Sequence, residues 1–307
     1  MIRTKLLAPL LLLVSICFGA AEAIAGEVVV LLDPNVRPYV EALAGFKQVS
    51  DMKLKLFSRR DDGDLSDERA LIKAIRARKP DQILVIGSEA MIALAGEITD
   101  IPILFTLVLN PQDKWKEQPK NLTGVSMSVS PESQMKVLSM LLPDLKHVAV
   151  VYDPDQSSTL VRKGKAVCKE LNQQLVSKQA RSSTEAVAQA EALLNQYTAY
   201  WMIPDQLTRS KDMVRYLFFA ARNKKKVLIG LSDKYVRAGA LFAYSVQNDA
   251  LGRQVAMLSK RLMAGGRPDR LPIEVPQDIE LSINMKVAKQ MGITVPDTLI
   301  RQAKTLY

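Results

Sequence analysis

From residue 27 onward the chain alternates short apolar runs with amphipathic stretches of helical period, and few architectures accommodate that rhythm. Val28-Val29-Val30-Leu31-Leu32 is apolar throughout, without the polar alternation of a half-exposed strand, as expected of a strand covered on both faces. A helix is predicted over Pro38–Val49, a strand over Lys53–Phe57, and a helix in which Leu71, Ala74, Ile75 and Arg78 recur at helical spacing. Ser66 is placed to cap that helix, with Asp67 and Glu68 in its first turn and Pro80 beyond its end. Ile83–Ile86, a helix over Ser88–Glu97 and a strand over Ile103–Leu107 follow. Repeated strand–helix–strand units require parallel sheets with helices on both faces.

The rhythm is interrupted once and then restarts. The interval Asn110–Asn121 carries Pro111, Pro119 and several charges and predicts a crossover. Val125–Val129 is expected as the next strand, followed by a helix over Pro131–Leu142 and strands at Val148–Tyr152, Leu175–Lys178, Tyr200–Ile203, Val227–Ile229 and Leu241–Tyr244. Helical stripes lie between them, and Gly265-Gly266 ends the helix that carries Leu251, Val255, Leu258 and Leu262. The restart predicts an α/β protein of two Rossmann-like lobes, the first over 26–110 and the second over 111–244.

Residues 1–25 differ from the rest. Arg3 and Lys5 precede an uncharged stretch, Leu6–Ala21, and small residues stand at Ala21, Ala23 and Ala25. This is the pattern of a cleaved secretory signal, and the stretch, with Pro9 inside it, is short for a span that needs about 20 residues. Ile16 stands before Cys17 where a lipidation site requires a small residue. Export to the periplasm is therefore expected. After cleavage Cys168 is the only remaining cysteine, so no internal disulfide forms and a two-cysteine racemase is excluded.

The full chain carries a formal charge of +10, which raises the question of nucleic acid. The densest cluster, Asn223-Lys224-Lys225-Lys226, falls at a predicted helix C-terminus, where lysines complement the helix dipole and face water. Export separates the chain from most nucleic acid, and a signal sequence stands where a repressor would carry its helix-turn-helix.

Motifs for catalysis are scarce. There is no G-x-G-x-x-G, no P-loop and no G-x-S-x-G, so no nucleotide cofactor and no serine hydrolase are indicated. The single histidine, His147, precedes a predicted strand, and Cys168 lies on an apolar helix stripe; neither suggests a metal site or a nucleophile–base pair. The informative residues follow strands, because ligands of open parallel sheets bind beyond the carboxyl ends of the strands. Those positions are Asp33, Ser88, Asn110, Asp153, Asp205 and Asp233. Each alone is equally a turn or cap residue; as a set they outline a small-molecule site. Gly87-Ser88-Glu89 joins a strand to a helix N-terminus, where free amides and the dipole favour an anion, and Ser88 is expected to cap as well as to face the ligand. Tyr152 is a candidate apolar wall.

Several phrases in one order carry a family resemblance. They are Lys79-Pro80-Asp81-Gln82-Ile83 leading to Ile86-Gly87-Ser88, Ile101-Pro102-Ile103, and Asn121-Leu122-Thr123-Gly124-Val125. Leu142-Pro143-Asp144, Gly239-Ala240-Leu241, Leu251-Gly252-Arg253-Gln254 and Ile283-Asn284-Met285-Lys286-Val287-Ala288 complete the series. Together the chain resembles the ABC-transporter substrate-binding family that includes tryptophan- and tyrosine-type binding proteins.

The resemblance implies a type I periplasmic-binding fold and no enzymatic activity. A return segment at about 245–275 would pack on the first lobe, and the tail at about 276–307 on the second. It further implies a monomer that closes on a small molecule, an amino acid or small organic anion, and then docks on an ABC permease. Family members often carry Asp-Pro where this chain has Asn110-Pro111; the change removes a carboxylate that could pair with an α-amino group, so either the ligand is something other than an amino acid or Asp205 or Asp233 supplies the charge instead. Two other readings stay open at this stage: a ligand-sensing protein of the same fold without an importer, and a periplasmic α/β enzyme.

Overall fold

The computed structural model describes residues 26–58 and 68–307. The signal-like stretch, with Cys17, and the expected cap at Ser66 and Asp67 lie outside the described residues.

The first sheet begins with β1 (Glu27–Leu32), α1 (Arg37–Val49), β2 (Lys53–Ser58) and α2 (Glu68–Ala77). β3 (Gln82–Ile86), α3 (Ser88–Ala95), β4 (Ile103–Val108) and β5 (Leu122–Ser126) complete it, in the spatial order β2-β1-β3-β4-β5, all parallel. The apolar run of β1 serves two cores at once. Val28 and Val30 face a cluster built with Ala42, Phe46 and Val255, while Val29 and Leu31 face one built with Leu71, Ile75 and Leu94. A strand between two helical layers has no side to spare for polar residues, which explains its lack of alternation.

The second sheet follows α4 (Pro131–Leu141). It contains β6 (His147–Tyr152), α5 (Pro154–Glu170), β7 (Gln174–Gln179), α6 (Ser183–Gln196), β8 (Ala199–Trp201) and α7 (Lys211–Asn223). β9 (Val227–Ile229), α8 (Asp233–Ala238) and β10 (Phe242–Val246) continue it; α9 (Asn248–Met263) then leaves it. β11 (Ile279–Ile283), α10 (Met285–Gln290), α11 (Asp297–Gln302) and β12 (Thr305–Leu306) end the chain. The order is β12-β11-β10-β9-β8-β6-β7, parallel except that β11 runs against β10. Among the described residues no helix is long and apolar enough to cross a membrane.

One boundary differs from expectation. The strand expected at Val125–Val129, in the second lobe, is Leu122–Ser126, and it closes the edge of the first sheet through Ile103↔Leu122 and Leu104↔Thr123. The first sheet therefore extends past 110. Its β4–β5 connection contains only a short 3-10 turn, Pro111–Lys114, so the broken strand–helix rhythm mimics a domain boundary. The segment before β11 covers the open edge of β5: Glu274 N donates to the Gly124 carbonyl at 2.9 Å, and Ser126 N to the Glu274 carbonyl at 2.8 Å. Covering an edge in this way removes its unpaired amides from solvent.

α9 packs against α1 of the first layer at very close range. A Cβ on Gly252 would run into the Ala42 carbonyl, and one on Gly45 into the Asp249 backbone, so glycine is required on both helices. Behind this contact the buried Gln82 amide donates to the Ser259 carbonyl at 3.0 Å and accepts from the Ser259 hydroxyl at 2.7 Å.

Three segments pass between the sheets: one after β5, one from β10 to α9, and one into β11. The chain leaves the first sheet from the carboxyl end of β5, and leaves the second from the carboxyl end of β10 to reach α9. Both carboxyl edges therefore turn toward one another.

Candidate functional site

At the carboxyl edge of the first sheet, β1 ends in a turn in which Asp33 Oδ1 accepts from Asn35 N at 3.0 Å. The turn feeds α1, whose first turn carries Tyr39. Its hydroxyl lies over Gly87, close enough that a Cβ there would collide with it. Gly87 adopts φ 102° and ψ 159°, so residue 87 needs glycine twice over, for its backbone and for the phenol above it. Burial pushes the Tyr39 phenol up, and the carboxylates of Glu89 and Asp33 push it further, which places all three groups in one electrostatic neighbourhood.

The cap of α3 differs from expectation. Gly87 occupies the N-cap, with no side-chain cap bond, and Ser88 is the first helical residue. The first intrahelical bond runs from Met91 N to the Gly87 carbonyl at 3.2 Å, so the amides of Ser88, Glu89 and Ala90 precede the ladder. Neither the Ser88 hydroxyl nor the Glu89 carboxylate forms a hydrogen bond or ion pair among the described residues. Donors for an anion and an acceptor for a cation thus sit side by side. Tyr39 was missed by sequence reasoning; its only signal is an aromatic with a polar tip in the turn that follows a buried strand.

The tip of β4 behaves differently. Leu107 (φ 56°) and Asn110 (φ 45°) both take left-handed backbone where the β4–β5 register shifts. Asn110 is buried, and its amide is used within the protein. Oδ1 accepts from the Ser128 hydroxyl at 2.9 Å, while Nδ2 donates to the Gln156 carbonyl at 3.0 Å and to Ser157 Oγ at 3.1 Å. It thereby ties the first sheet to the start of α5. Asp113 adds a second tie, accepting from Thr159 N at 3.2 Å.

The second sheet contributes acids that are likewise engaged. Asp153 caps α5 through Asp155 N at 2.9 Å and accepts from Gln156 Nε2 at 2.5 Å. Asp205 is 3% exposed. Its carboxylate accepts from Thr208 N at 2.9 Å, Asp153 N at 3.0 Å and the Ser157 hydroxyl at 3.4 Å. Burial raises its pKa, against the opposing pull of the Thr208 and Asp153 amides. Asp233 opens α8 and gathers the Tyr307 hydroxyl at 2.6 Å, the Ser282 hydroxyl at 2.9 Å and the Arg237 guanidinium at 3.1 Å. These donors, Tyr307 foremost, hold its carboxyl below the ordinary aspartate range. Tyr152 packs in the core between β6 and its helices, its hydroxyl accepting from Gln179 Nε2 at 3.1 Å; it forms no exposed wall.

The eight sequence candidates thus separate into Asp33, Ser88 and Glu89 around Tyr39; Asn110, Asp153 and Asp205 joined through Ser157; Asp233 with the C-terminal Tyr307; and Tyr152 in the core. Among the described residues no cluster of three His, Cys, Asp or Glu could hold a metal ion. Cys168 is fully buried, and burial pushes its thiol up to about 11, which makes it a core residue and a poor nucleophile.

A family model described as ABC transporter substrate binding protein matches residues 35–306. A curated relative, the tyrosine-binding protein of Clostridioides difficile (strain R20291), is 22% identical over 271 residues, covering 85% of this chain and 77% of that protein. Among solved structures, an ABC domain from Streptococcus pneumonia in complex with L-Trp aligns with TM-score 0.63 and 20% identity, over 92% of this chain and 99% of that one. The ligand-free, open structure of a substrate binding protein with adhesive properties from Clostridium difficile aligns with TM-score 0.69 and 19% identity, over 91% of this chain and 98% of that one. The fold shared with these structures is the type I periplasmic-binding fold.

Proposed function

The chain belongs to the ABC transporter substrate-binding protein family, and from that premise we propose that it is an exported periplasmic binding protein that captures a zwitterionic amino acid between its two sheets and delivers it to an ABC permease. The observation that carries the ligand class is the carboxyl edge of the first sheet. Uncapped amides at the start of α3 and the unengaged Ser88 hydroxyl suit a carboxylate, while the Glu89 carboxylate beside them suits an ammonium group. Tyr39 borders the same position, its hydroxyl over Gly87, and the negative charge of Asp33 acts on that hydroxyl. Relatives that bind tyrosine and tryptophan support an amino-acid ligand.

In this reading the two lobes are the two sheets with their helices, joined by the three crossing segments. A solute touching both edges favours the closed state by its differential affinity for it, and the closed form docks on the permease. The Asn110–Ser157–Asp205 network is the framework about which closure occurs rather than a set of ligand contacts.

Calorimetry and thermal shift with the twenty L-amino acids test the proposal. At 100 times the dissociation constant a true ligand stabilises by about 2.7 kcal/mol. Ser88→Ala and Glu89→Gln should each weaken it by about tenfold, at about 1.4 kcal/mol for each charge-assisted hydrogen bond removed. A panel in which no amino acid raises the melting temperature, or a ligand indifferent to both substitutions, removes this assignment.

A further inference from the structure

The Lys224–Lys226 cluster has a surrounding that a solvated helix end lacks. At the amino edge of the second sheet, opposite the candidate site, α7, the turn that leads into β9, the end of α8 and α10 line a groove of about 990 Å³. That volume is at the upper end of the roughly 300–1,000 Å³ of small-molecule sites. Its apolar side is made by Phe218, Phe219, Val287 and Met291, and its charged side by Arg215, Arg222, Lys225 and Lys226. Among the described residues no carboxylate lines it.

Two of the four cations are already engaged. Arg215 stands 3.9 Å from Asp212, and Lys226 Nζ donates to the Tyr197 carbonyl at 3.1 Å. Arg222 and Lys225 form no ion pair or hydrogen bond among the described residues. Lys225 takes a left-handed backbone, φ 49°, at the turn into β9. Phe219 is 53% exposed on the same helix face, although a face serving only solubility would carry a polar residue there. Phe218 beside it is steadied by stacking on Tyr235, with ring centroids 6.1 Å apart. An apolar wall next to two unengaged cations, with no acid between them, complements a molecule with an apolar body and one negative end.

We propose that this groove is a second binding site, separate from the interlobe site, for a small amphiphilic organic anion: an aliphatic or aromatic carboxylate. The anion lies against Arg222 and Lys225, and the apolar body along Phe219 and Met291.

Decanoate below its micellar concentration is the probe, titrated into the full mature protein by calorimetry while the Met291 methyl signal is followed by NMR. Saturable binding that shifts the Met291 signal is expected. Binding should fall about tenfold in Arg222→Gln/Lys225→Gln and about fivefold in Phe219→Ala, with no change in Ser88→Ala. Decan-1-ol should bind at least tenfold more weakly than decanoate. All three substituted groove positions are exposed and leave folding intact, which the melting temperature checks. Affinity unchanged in either groove variant, equal binding of the alcohol, or abolished binding in Ser88→Ala overturns the proposal. So does adhesion to phosphatidylglycerol vesicles without binding of free decanoate, which would make the groove a membrane contact.

Discussion

The head of α3 in the first sheet and the carboxyl edge of the second carry similar residue types and use them in opposite ways, while Asp33 and Asn110 elsewhere on the first edge are engaged as the acids of the second are. At the first edge, Ser88 and Glu89 keep their hydrogen-bonding capacity, and Tyr39 leans over a glycine at the head of α3. At the second, Asp153, Asp205 and Asp233 are already paired with backbone amides, hydroxyls and a guanidinium. A polar residue after a strand therefore marks a binding position only if the protein has not already used it. At the head of α3 the polar groups remain available for new hydrogen bonds, while the acids of the second edge hold its own loops in place.

Four substitutions break or sharpen that contrast. Asp205→Ala strands the amides of Asp153 and Thr208 and the Ser157 hydroxyl in a buried place, and should cost about 3 kcal/mol in urea unfolding. Weaker binding at unchanged stability would make Asp205 a ligand contact and erase the contrast. Gly252→Ala forces α9 off α1 and should cost about 2 kcal/mol, seen in calorimetry as earlier melting of the first sheet and its helices.

Gly87→Ala should leave the second sheet untouched yet weaken solute binding by about tenfold, because the new methyl group displaces Tyr39 and strains the left-handed backbone at the head of α3. Unaltered calorimetric affinity in this variant would detach Tyr39 from the site.

The smallest effect is one of pH. The Asp233 carboxyl is held below its ordinary value of 3.8, so its contribution is complete above that value and disappears as pH falls through the folded-state value. Asp233→Asn should therefore differ most from the wild type above about pH 5, with the stability gap closing on acidification. Asp205 carries the reverse sign: its raised pKa lowers stability as pH rises from the ordinary value to the folded one. A gap in Asp233→Asn that stayed constant from pH 6 to 3 would show that its carboxylate charge stabilises nothing.

Much of the fold is legible because it rests on local periodicity. β1, β3, β4, β6 and the helical stripes between them fall within a few residues of their expected places, and parallel sheets follow from their alternation. Where the local signal is ambiguous, expectation and structure part. β5 reads as part of the second sheet because no helix precedes it, α8 reads as a strand-end turn at Asp233, and β12 carries too few residues to announce itself.

The site is legible only in its location. The sequence places polar residues at strand ends, and the structure separates those with free hydrogen-bonding groups from those already satisfied within the protein. Asn110 meets Ser157 from 47 residues away, Asp205 meets Asp153 from 52, and Asp233 meets Tyr307 from 74. Tyr39 over Gly87 is a contact of the same kind.

By itself, then, the sequence determined the α/β architecture, the scarcity of catalytic groups and the family phrases, since each is written in neighbouring residues or in their order. Only the tertiary structure decided which sheet received β5, how closely α9 lies on α1, and which acids were already satisfied. Hydrogen-bond partners and steric clearances belong to pairs brought together by folding, and no periodicity along the chain encodes the pair.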